Sequence, residues 1–373
     1  MKKIKGCVPC LFGLEALVAE ELRKIGAEEV RADNGRVYFE GTPETFIDAN
    51  LWLRCGQRVE IVLGQFPART FEELFEGVRK LPWEQFIPED GRFPVKGHAL
   101  NSKLSSIPAC QSIVKKAIVR RLEGHYKRSV FQESGMLYSI RFSLLKDQAV
   151  LMLDTTGTAL HKRGYRPAAM PAPIRETLGA ALVSIARPYP DTVLYDPFAG
   201  SGTLLIEGAM LARNMAPGLG RGFISEGWAL FPKAHWQQRR EAARAAAKKE
   251  IPFRGIGSDI DPKAVKMAED NAKRAGVADC LEFKVADVKD FKIETPRGMV
   301  VTNPPYGERL LEKEQAQELY RLMGKVFLQE PGKRYFIIAP DADFEKLFGR
   351  KADKKRKLYN GMLECNYFQY FKY

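Results

Sequence analysis

Cysteine is scarce, with six residues among 373. They stand at positions 7, 10, 55, 110, 280 and 365, too dispersed for a disulfide framework, and this makes a reducing cytoplasm the expected setting. Cys7 and Cys10 form a CxxC without a second pair or a histidine cluster, so two thiols at a strand end are a simpler reading than zinc or redox chemistry. Histidine is scarcer still, with four residues. His125 and His161 have no second ligand at a suitable spacing, and no metal is expected. No uninterrupted apolar stretch approaches the ~18 residues of a membrane span. The basic opening MKKIK runs into Glu15, Glu20 and Glu21 before any adequate apolar core, so a signal peptide is not expected either. A GxxxxGK[ST] loop and a GxGxxG spacing are both missing, which disfavours nucleotide hydrolysis and dinucleotide binding.

Positive charge is plentiful. Lys and Arg total 59 against 46 Asp and Glu, a net charge of +13. Such a surface favours polyanions, with nucleic acid the first candidate and an anionic membrane the second. Hydrophobic residues at 45% and charged residues at 28% are ordinary for a globular protein with a sizeable core. The length exceeds the ~250 residues at which single cores usually stop growing, so at least one domain boundary is expected.

The N-terminal half reads as short strands mixed with helices, the texture of an α+β module. KIKGCV is a strand, and the helix from Gly13 to about Ile25 carries Leu14, Leu17, Val18, Leu22 and Ile25 on one face. RVYFEG is hairpin-like, residues 45–53 are helical, and residues 58–66 alternate as a half-buried strand. A long helix at 108–127 bears Lys115, Lys116, Arg120 and Arg121, and two further strands close this half. The Pro-rich, basic stretch HKRGYRPAAMPAPIRETL, residues 161–178, is read as the linker. Beyond it, strands alternate with a glycine loop and helices, which implies a parallel sheet with crossover helices. The alanine-rich EAARAAAKKE, residues 241–250, is a helix former.

The strongest local signal is TVLYDPFAGSGTLLIEGAMLA, residues 192–212. An apolar strand ends at Asp196, Gly200 and Gly202 let the backbone approach a ligand, and a helix opens near Thr203. One strand later, Asp259 in GSDIDP is placed to accept from ribose hydroxyls. Asp287 ends a third strand in LEFKVADV. A fourth strand runs into VVTNPPYGERL, residues 300–310, where two successive prolines hold Asn303 out of helical geometry and present it at the strand tip. Asn303 and the Pro304 carbonyl offer acceptors and Tyr306 offers a flat face, a set suited to a planar group with an exocyclic NH2. Singly, each acidic residue reads more simply as a cap or turn residue, and Asn-Pro as a tight turn. In this order they support one another.

DPFAGSGT, GSDIDP, ADV and NPPYG, in that order, resemble the S-adenosylmethionine-dependent methyltransferases of exocyclic amino groups. CLFGLEALVAEELRKIGA, HKRGYR, PIRETL and NPPYGERL extend the resemblance to the bacterial THUMP-domain RNA methyltransferases, nearest the 23S ribosomal RNA guanine-N2 enzymes. The resemblance covers nearly the whole chain. It implies a ferredoxin-like region at 1–55, a THUMP RNA-binding domain at 56–160, and at 161–373 a Rossmann-like α/β catalytic domain on a mostly parallel seven-stranded sheet. Some relatives carry a second catalytic domain after this one; here one methylation activity is expected.

By position, the resemblance gives Asp196, Gly200 and Gly202 to the methionine part of S-adenosylmethionine, with Pro197, Phe198 and Thr203 in the same loop. Packing is the simpler job for Phe198. Asp259 goes to the ribose and Asp287 to the adenine. Pro173 to Thr177 corresponds to the helix start that closes over the cofactor carboxylate, with Thr177 the preferred contact. Asn303, Pro304 and Tyr306 take the target base; Asn303 also borders the cofactor. Lys115, Lys116, Arg120, Arg121, Lys162, Arg163 and Arg166, together with GRKADKKRK near the C-terminus, are the expected contacts to RNA, each run reading equally well as a solvated face. Trp228, Phe231 and Trp236 are candidates for the base pocket, with core packing the simpler reading.

The expected partner is 23S rRNA or a ribosome assembly intermediate. The rival readings are guanine-N2 methylation of tRNA, adenine-N6 methylation of DNA, and a noncatalytic RNA-binding assembly factor that keeps a relic cofactor fold.

Overall fold

The structure, a computed structural model, describes residues 3–166, 174–307, 310–329 and 332–371. The chain divides into two compact units. One comprises Met1–Cys10, Val18–Leu160 and Gly222–Ala242, the other Leu11–Leu17, His161–Arg221 and Ala243–Tyr373. Within the stretch read as a linker, residues 167–173 lie outside the described residues, as do Glu308 and Arg309 of the NPPYGERL segment.

The first unit contains β1 (Ile4–Pro9), α1 (Glu15–Lys24), β2 (Glu28–Asp33), β3 (Arg36–Gly41), α2 (Pro43–Trp52), β4 (Glu60–Pro67), α3 (Phe71–Arg79), β5 (Val95–Leu100), α4 (Ile107–Tyr126), β6 (Ser139–Leu145) and β7 (Gln148–Asp154). Its strands form one seven-stranded sheet in the order β2-β3-β1-β4-β7-β6-β5. The pairing of β1 with β4, Cys7 opposite Glu60, makes the sheet continuous. Local chemistry sets the joints. Pro43 opens α2, where Thr42 N donates to Thr45 Oγ1 at 3.2 Å. The two residues between β6 and β7, Lys146 and Asp147, have φ of 50° and 60°, the primed-turn geometry that matches the twist of a hairpin. Strand β2 is almost wholly exposed, so it shows no apolar alternation, and only pairing with β3 reveals it.

Cys7 and Cys10 are buried and form no disulfide. Trp228, Phe231 and Trp236 belong to this unit. Trp228 stacks on Tyr138 at 4.6 Å, Phe231 lies 6.2 Å from Phe46, and Trp236 stacks on Phe223 at 5.0 Å. They are core residues.

The second unit contains α5 (Glu176–Ala186), β8 (Val193–Asp196) and α6 (Thr203–Ala212), and the chain then runs through α7 (Lys233–Ala245), most of which packs in the first unit. It continues with β9 (Arg254–Asp259), α8 (Pro262–Ala275), β10 (Leu281–Val285), β11 (Gly298–Thr302), α9 (Leu310–Phe327), β12 (Arg334–Ala339), α10 (Phe344–Phe348), β13 (Lys354–Asn360) and β14 (Leu363–Tyr370). The sheet order is β10-β9-β8-β11-β12-β14-β13. Its first five strands are parallel, and β14 and β13 run antiparallel at one edge.

This is the expected α/β class. Strand β11, GMVVT, is buried at every position, as a central parallel strand covered on both faces must be. The chain goes from β8 outward to β9 and β10, then returns to place β11 on the opposite side of β8. The carboxyl ends of β8 and β11 therefore flank a topological switch point, where an open α/β sheet leaves a crevice.

Candidate active site

A cavity of about 670 Å³ occupies that crevice, a volume within the range of small-molecule sites. Asp196, the last residue of β8, is buried. Its Oδ1 accepts from the Thr302 hydroxyl at 2.7 Å and the Phe198 amide at 3.2 Å. Burial pushes its carboxyl up to about 7, against the lowering effect of these two bonds, and nearby Asp259 adds to the rise. The loop that follows turns on Gly200, φ +50°, and Gly202, φ +76°. A Cβ on Gly202 would come 3.0 Å from Ala268 of α8, whereas one on Gly200 would meet nothing within 4 Å. Gly202 lets α6 begin against α8, and Gly200 leaves the cavity side of the loop open.

Asp259, at the end of β9, accepts from the Gly200 amide at 2.9 Å and the Asp261 amide at 3.0 Å, binding the glycine loop to the second strand. Asp287 caps a short turn after β10 by accepting from Lys289 N at 3.0 Å. That bond, aided by the Lys289 ammonium, holds its carboxyl below the ordinary range.

At the end of β11 the backbone leaves the sheet at Asn303, because neither Pro304 nor Pro305 can donate to a ladder. The Tyr306 hydroxyl donates to Asn303 Oδ1 and accepts from Asn360 Nδ2 at 3.4 Å. Burial raises the phenol well above its usual range, the adjacent Cys365 thiol adds to the rise, and it remains a neutral donor.

Asp196, Pro197, Phe198, Gly200 and Thr203 line the cavity together with Asp259, Asp287, Asn303, Pro304 and Tyr306. Thr177 does not: it is buried within the first turn of α5, while Ile174 and Arg175, just before that helix, face the cavity. Pro173 lies outside the described residues. Asn360, Gly361 and Leu363 also line the wall, and sequence reasoning missed them. Their signal is the Asn-Gly pair of YNGML, a hairpin turn, but nothing local ties a hairpin at 361 to a strand tip at 303.

The structure corrects the basic set. Arg163 is 3% exposed, with Nε 3.4 Å from Glu207 Oε1, an atom that also accepts from the Tyr165 hydroxyl at 3.1 Å. Arg166 lies 2.8 Å from Glu176 and donates to the Ile174 carbonyl and Thr203 Oγ1 at 3.0 and 3.1 Å. Both guanidiniums are spent inside the catalytic unit: Arg166 joins the starts of α5 and α6, and Arg163 holds Glu207 in the middle of α6. Lys115 donates to the Phe93 carbonyl at 3.1 Å and pairs with Glu133, and Arg121 grips Glu84 at 2.6 and 2.9 Å. Lys116, Arg120 and Lys162 are exposed. His161 stays neutral near pH 7, because burial, with Arg175 adding to the effect, lowers it to about 4.

A glycine loop after the first strand, acidic residues after the second and third, and an Asn-Pro-Pro-Tyr tip after the fourth, all around one switch-point cavity, define a Rossmann-like methyltransferase. Comparison with known proteins agrees. Residues 163–369 match the family described as RMKL-like, methyltransferase domain; residues 5–60 match the RlmL ferredoxin-like domain, and residues 68–154 the THUMP domain. YpsC of Bacillus subtilis (strain 168), provisionally named an RNA methyltransferase, is 44% identical over 373 residues, covering 100% of this chain and 97% of its own. Ribosomal RNA large subunit methyltransferase K/L of Psychromonas ingrahamii is 35% identical over 96% of this chain. The chain spans about half the length of that relative, 49%. The crystal structure of SMU.472 complexed with S-adenosylhomocysteine superposes with a TM-score of 0.94 at 43% identity, covering 100% of this chain and 99% of that one. The chain belongs to the RlmKL-like family of S-adenosylmethionine-dependent RNA methyltransferases.

The cavity fits that cofactor. Three carboxylates at successive strand ends suit an ammonium, a ribose diol and an amino-purine, and the open side of Gly200 admits a ligand against the backbone. No helix among the described residues is long and apolar enough to cross a membrane.

Proposed function

We propose that this protein methylates the exocyclic N2 amine of a guanine in 23S ribosomal RNA. The observation that carries the reading is the tip of β11, where the Asn303 amide, the Pro304 backbone and the Tyr306 ring share one cavity with Asp196, Asp259 and Asp287. Similarity to the large-subunit ribosomal RNA enzyme supports 23S rRNA over other RNAs.

Asp196 faces the methionine amine, Asp259 the ribose and Asp287 the adenine, while Ile174 and Arg175 take the place at the cofactor carboxylate that the resemblance assigns to Thr177. When bound, S-adenosylmethionine supplies an electrophilic methyl group. Asn303 Oδ1 and the Pro304 carbonyl accept the two N–H bonds of the guanine amine, drawing its lone pair out of conjugation and fixing its direction. Neither oxygen is a base strong enough to deprotonate a neutral amine. Their part is aim and polarisation, and the proton leaves once the nitrogen has become cationic and acidic. Tyr306 stacks on a base taken out of its own stack.

The first unit, with its ferredoxin-like part at 1–55 and THUMP part at 56–160, holds the RNA. Lys116, Arg120 and Lys162 contact phosphates in a protein that works in the cytoplasm. The test is transfer of labelled methyl to separated 23S rRNA, tRNA and DNA from cells lacking the gene, with the product nucleoside identified by mass spectrometry. The expected product is N2-methylguanosine from 23S rRNA. Label confined to tRNA would move the partner and keep the chemistry, and N6-methyladenine would overturn the base assignment.

A further inference from the structure

The hairpin of β13 and β14 ends in a two-residue turn, Gly361-Met362, in which Gly361 has φ +65°. Asn360, Gly361 and Leu363 face the cavity, and Met362 projects from the tip at 98% exposure. On the same hairpin, Tyr359 of β13 holds Phe12, which is 57% exposed, the two rings 6.2 Å apart in an edge-on pair. This pair is built into the fold. Arg356 donates to the Gly13 carbonyl at 2.5 Å. A Cβ on Gly13, which has φ +87°, would come 2.8 Å from the Lys357 carbonyl. The segment carrying Phe12 is thus tied against β13 at a place only glycine allows. Strand β13 carries Lys354, Lys355, Arg356 and Lys357 in succession; Lys355 pairs with Glu345 and Lys357 with Glu364, each at 2.7 Å, while Lys354 is exposed, so the hairpin is basic along one strand and carries apolar groups at its end.

A single exposed methionine needs no explanation. An exposed methionine at the end of a basic hairpin, on the rim of a cavity that takes a base, does. A nucleotide drawn from a stack leaves a gap and two unstacked neighbours, and proteins that distort nucleic acids fill such gaps with apolar side chains while cations hold the phosphates. An unbranched, polarisable methionine suits an irregular gap.

We propose that Met362 is a wedge that enters the RNA beside the target nucleotide as its base moves into the cavity, with Phe12 and Tyr359 offering stacking faces to a flanking base. The proposal rests on the reading that the cavity accepts a base from RNA. The test compares Met362→Ala, Met362→Lys, Met362→Leu and Phe12→Ala on folded 23S rRNA from cells lacking the gene, measuring kcat, KM for RNA, affinity for S-adenosylhomocysteine and Tm.

A wedge requires kcat to fall by at least about tenfold in the Met362→Ala and Met362→Lys variants, because neither fills the gap, while Met362→Leu stays within about threefold of wild type. Phe12→Ala is expected to raise KM for RNA. Cofactor affinity and Tm stay unchanged. A Lys variant as active as wild type would make the tip an electrostatic contact and overturn the wedge, as would an Ala variant with normal kcat. A fall in Tm or cofactor affinity that tracks the lost rate would also overturn it, by assigning Met362 a structural role. A wild-type protein that methylates no RNA would overturn the underlying reading as well, and is told apart by the wild-type assay alone.

Discussion

The Tyr306 hydroxyl donates its hydrogen bond to Asn303 Oδ1, the same oxygen that the proposed function gives to an exocyclic amine. The base-binding acceptor is thus satisfied within the protein before substrate arrives. A fully buried amide oxygen left without a donor would cost about 1–3 kcal/mol; Asn303 is half-buried, so the tyrosine removes a part of that cost until a base replaces it. Tyr306→Phe is expected to keep kcat within about threefold of wild type, with an unchanged or lower KM for RNA, because a net hydrogen bond is worth only about 1 kcal/mol. Tyr306→Ala removes the stacking face and is expected to lower kcat/KM by roughly 5- to 150-fold, the equivalent of about 1–3 kcal/mol for one base. Steady-state kinetics on RNA distinguishes the two.

Asn303→Ala removes the acceptor outright. Transfer is expected to fall by a factor on the order of 10² or more, as when a preorganised polar group at a reacting centre is deleted. S-Adenosylhomocysteine affinity, read by calorimetry, is expected to stay nearly unchanged. Asp287→Ala is expected to do the reverse, weakening the cofactor while leaving the base contacts in place.

Asp196 gives the site a pH dependence. Its carboxyl, ordinarily near 3.8, is raised to about 7 by burial, so the folded state holds a proton that the unfolded chain releases earlier. The stability this contributes is complete below about 3.8 and is lost as pH rises through about 7. A ligand ammonium favours the ionised carboxylate, so S-adenosylhomocysteine affinity is expected to rise through the same pH. Asp196→Asn keeps an acceptor for Thr302 and Phe198. It is expected to raise the Tm of the ligand-free protein at pH 8, weaken the ligand, and flatten the dependence of affinity on pH.

Arg163 and Lys162 are neighbours in sequence with opposite fates. Arg163→Ala leaves Glu207 buried without its ion-pair partner, which costs roughly 3–5 kcal/mol and on the order of 10 °C in Tm. It is expected to leave the salt dependence of RNA binding unaltered. Lys162→Ala, like Lys116→Ala, is expected to spare Tm and to reduce the slope of log affinity against log salt by about 0.7–0.9 for each phosphate that is no longer neutralised.

Gly202→Ala places a side chain at φ +76° and 3.0 Å from Ala268. The left-handed conformation alone costs about 1–2 kcal/mol, and the clash moves α6 off α8. A lower Tm together with weaker cofactor binding is expected, measured by thermal melts with and without S-adenosylhomocysteine.

Much of the site is legible in the sequence because its residues lie at strand ends. An apolar run stopped by Asp-Pro and glycines, or by Asn-Pro-Pro, announces both the strand and the side chain at its tip, and the resemblance of those motifs supplies their order. Thr177 is buried in the first turn of α5 while Ile174 and Arg175 line the cavity, since a segment at a helix start does not reveal which residues turn inward. Arg163 and Arg166 mislead because charge in a sequence carries no mark of burial. Only the partners the fold supplies, Glu207 far along the chain for Arg163 and Glu176 at the start of α5 for Arg166, show them to be internal. The hairpin of β13 and β14 is hidden in a run of lysines that reads as a solvated basic tail.

By itself the sequence determined the class: local backbone chemistry at Gly200, Gly202 and Pro304 admits few alternatives, and apolar runs that are buried on both faces can only be central strands. Tertiary structure decided what local patterns cannot carry. It sent Trp228, Phe231 and Trp236 into the core of the first unit, carried Asn360 and Met362 to the rim of a cavity that begins far earlier in the chain at Asp196, and joined Tyr306 to Asn303. The placement of Asn360 and Met362 depends on which strand lies beside which, and strand order is set by the burial of the whole sheet rather than by any one segment.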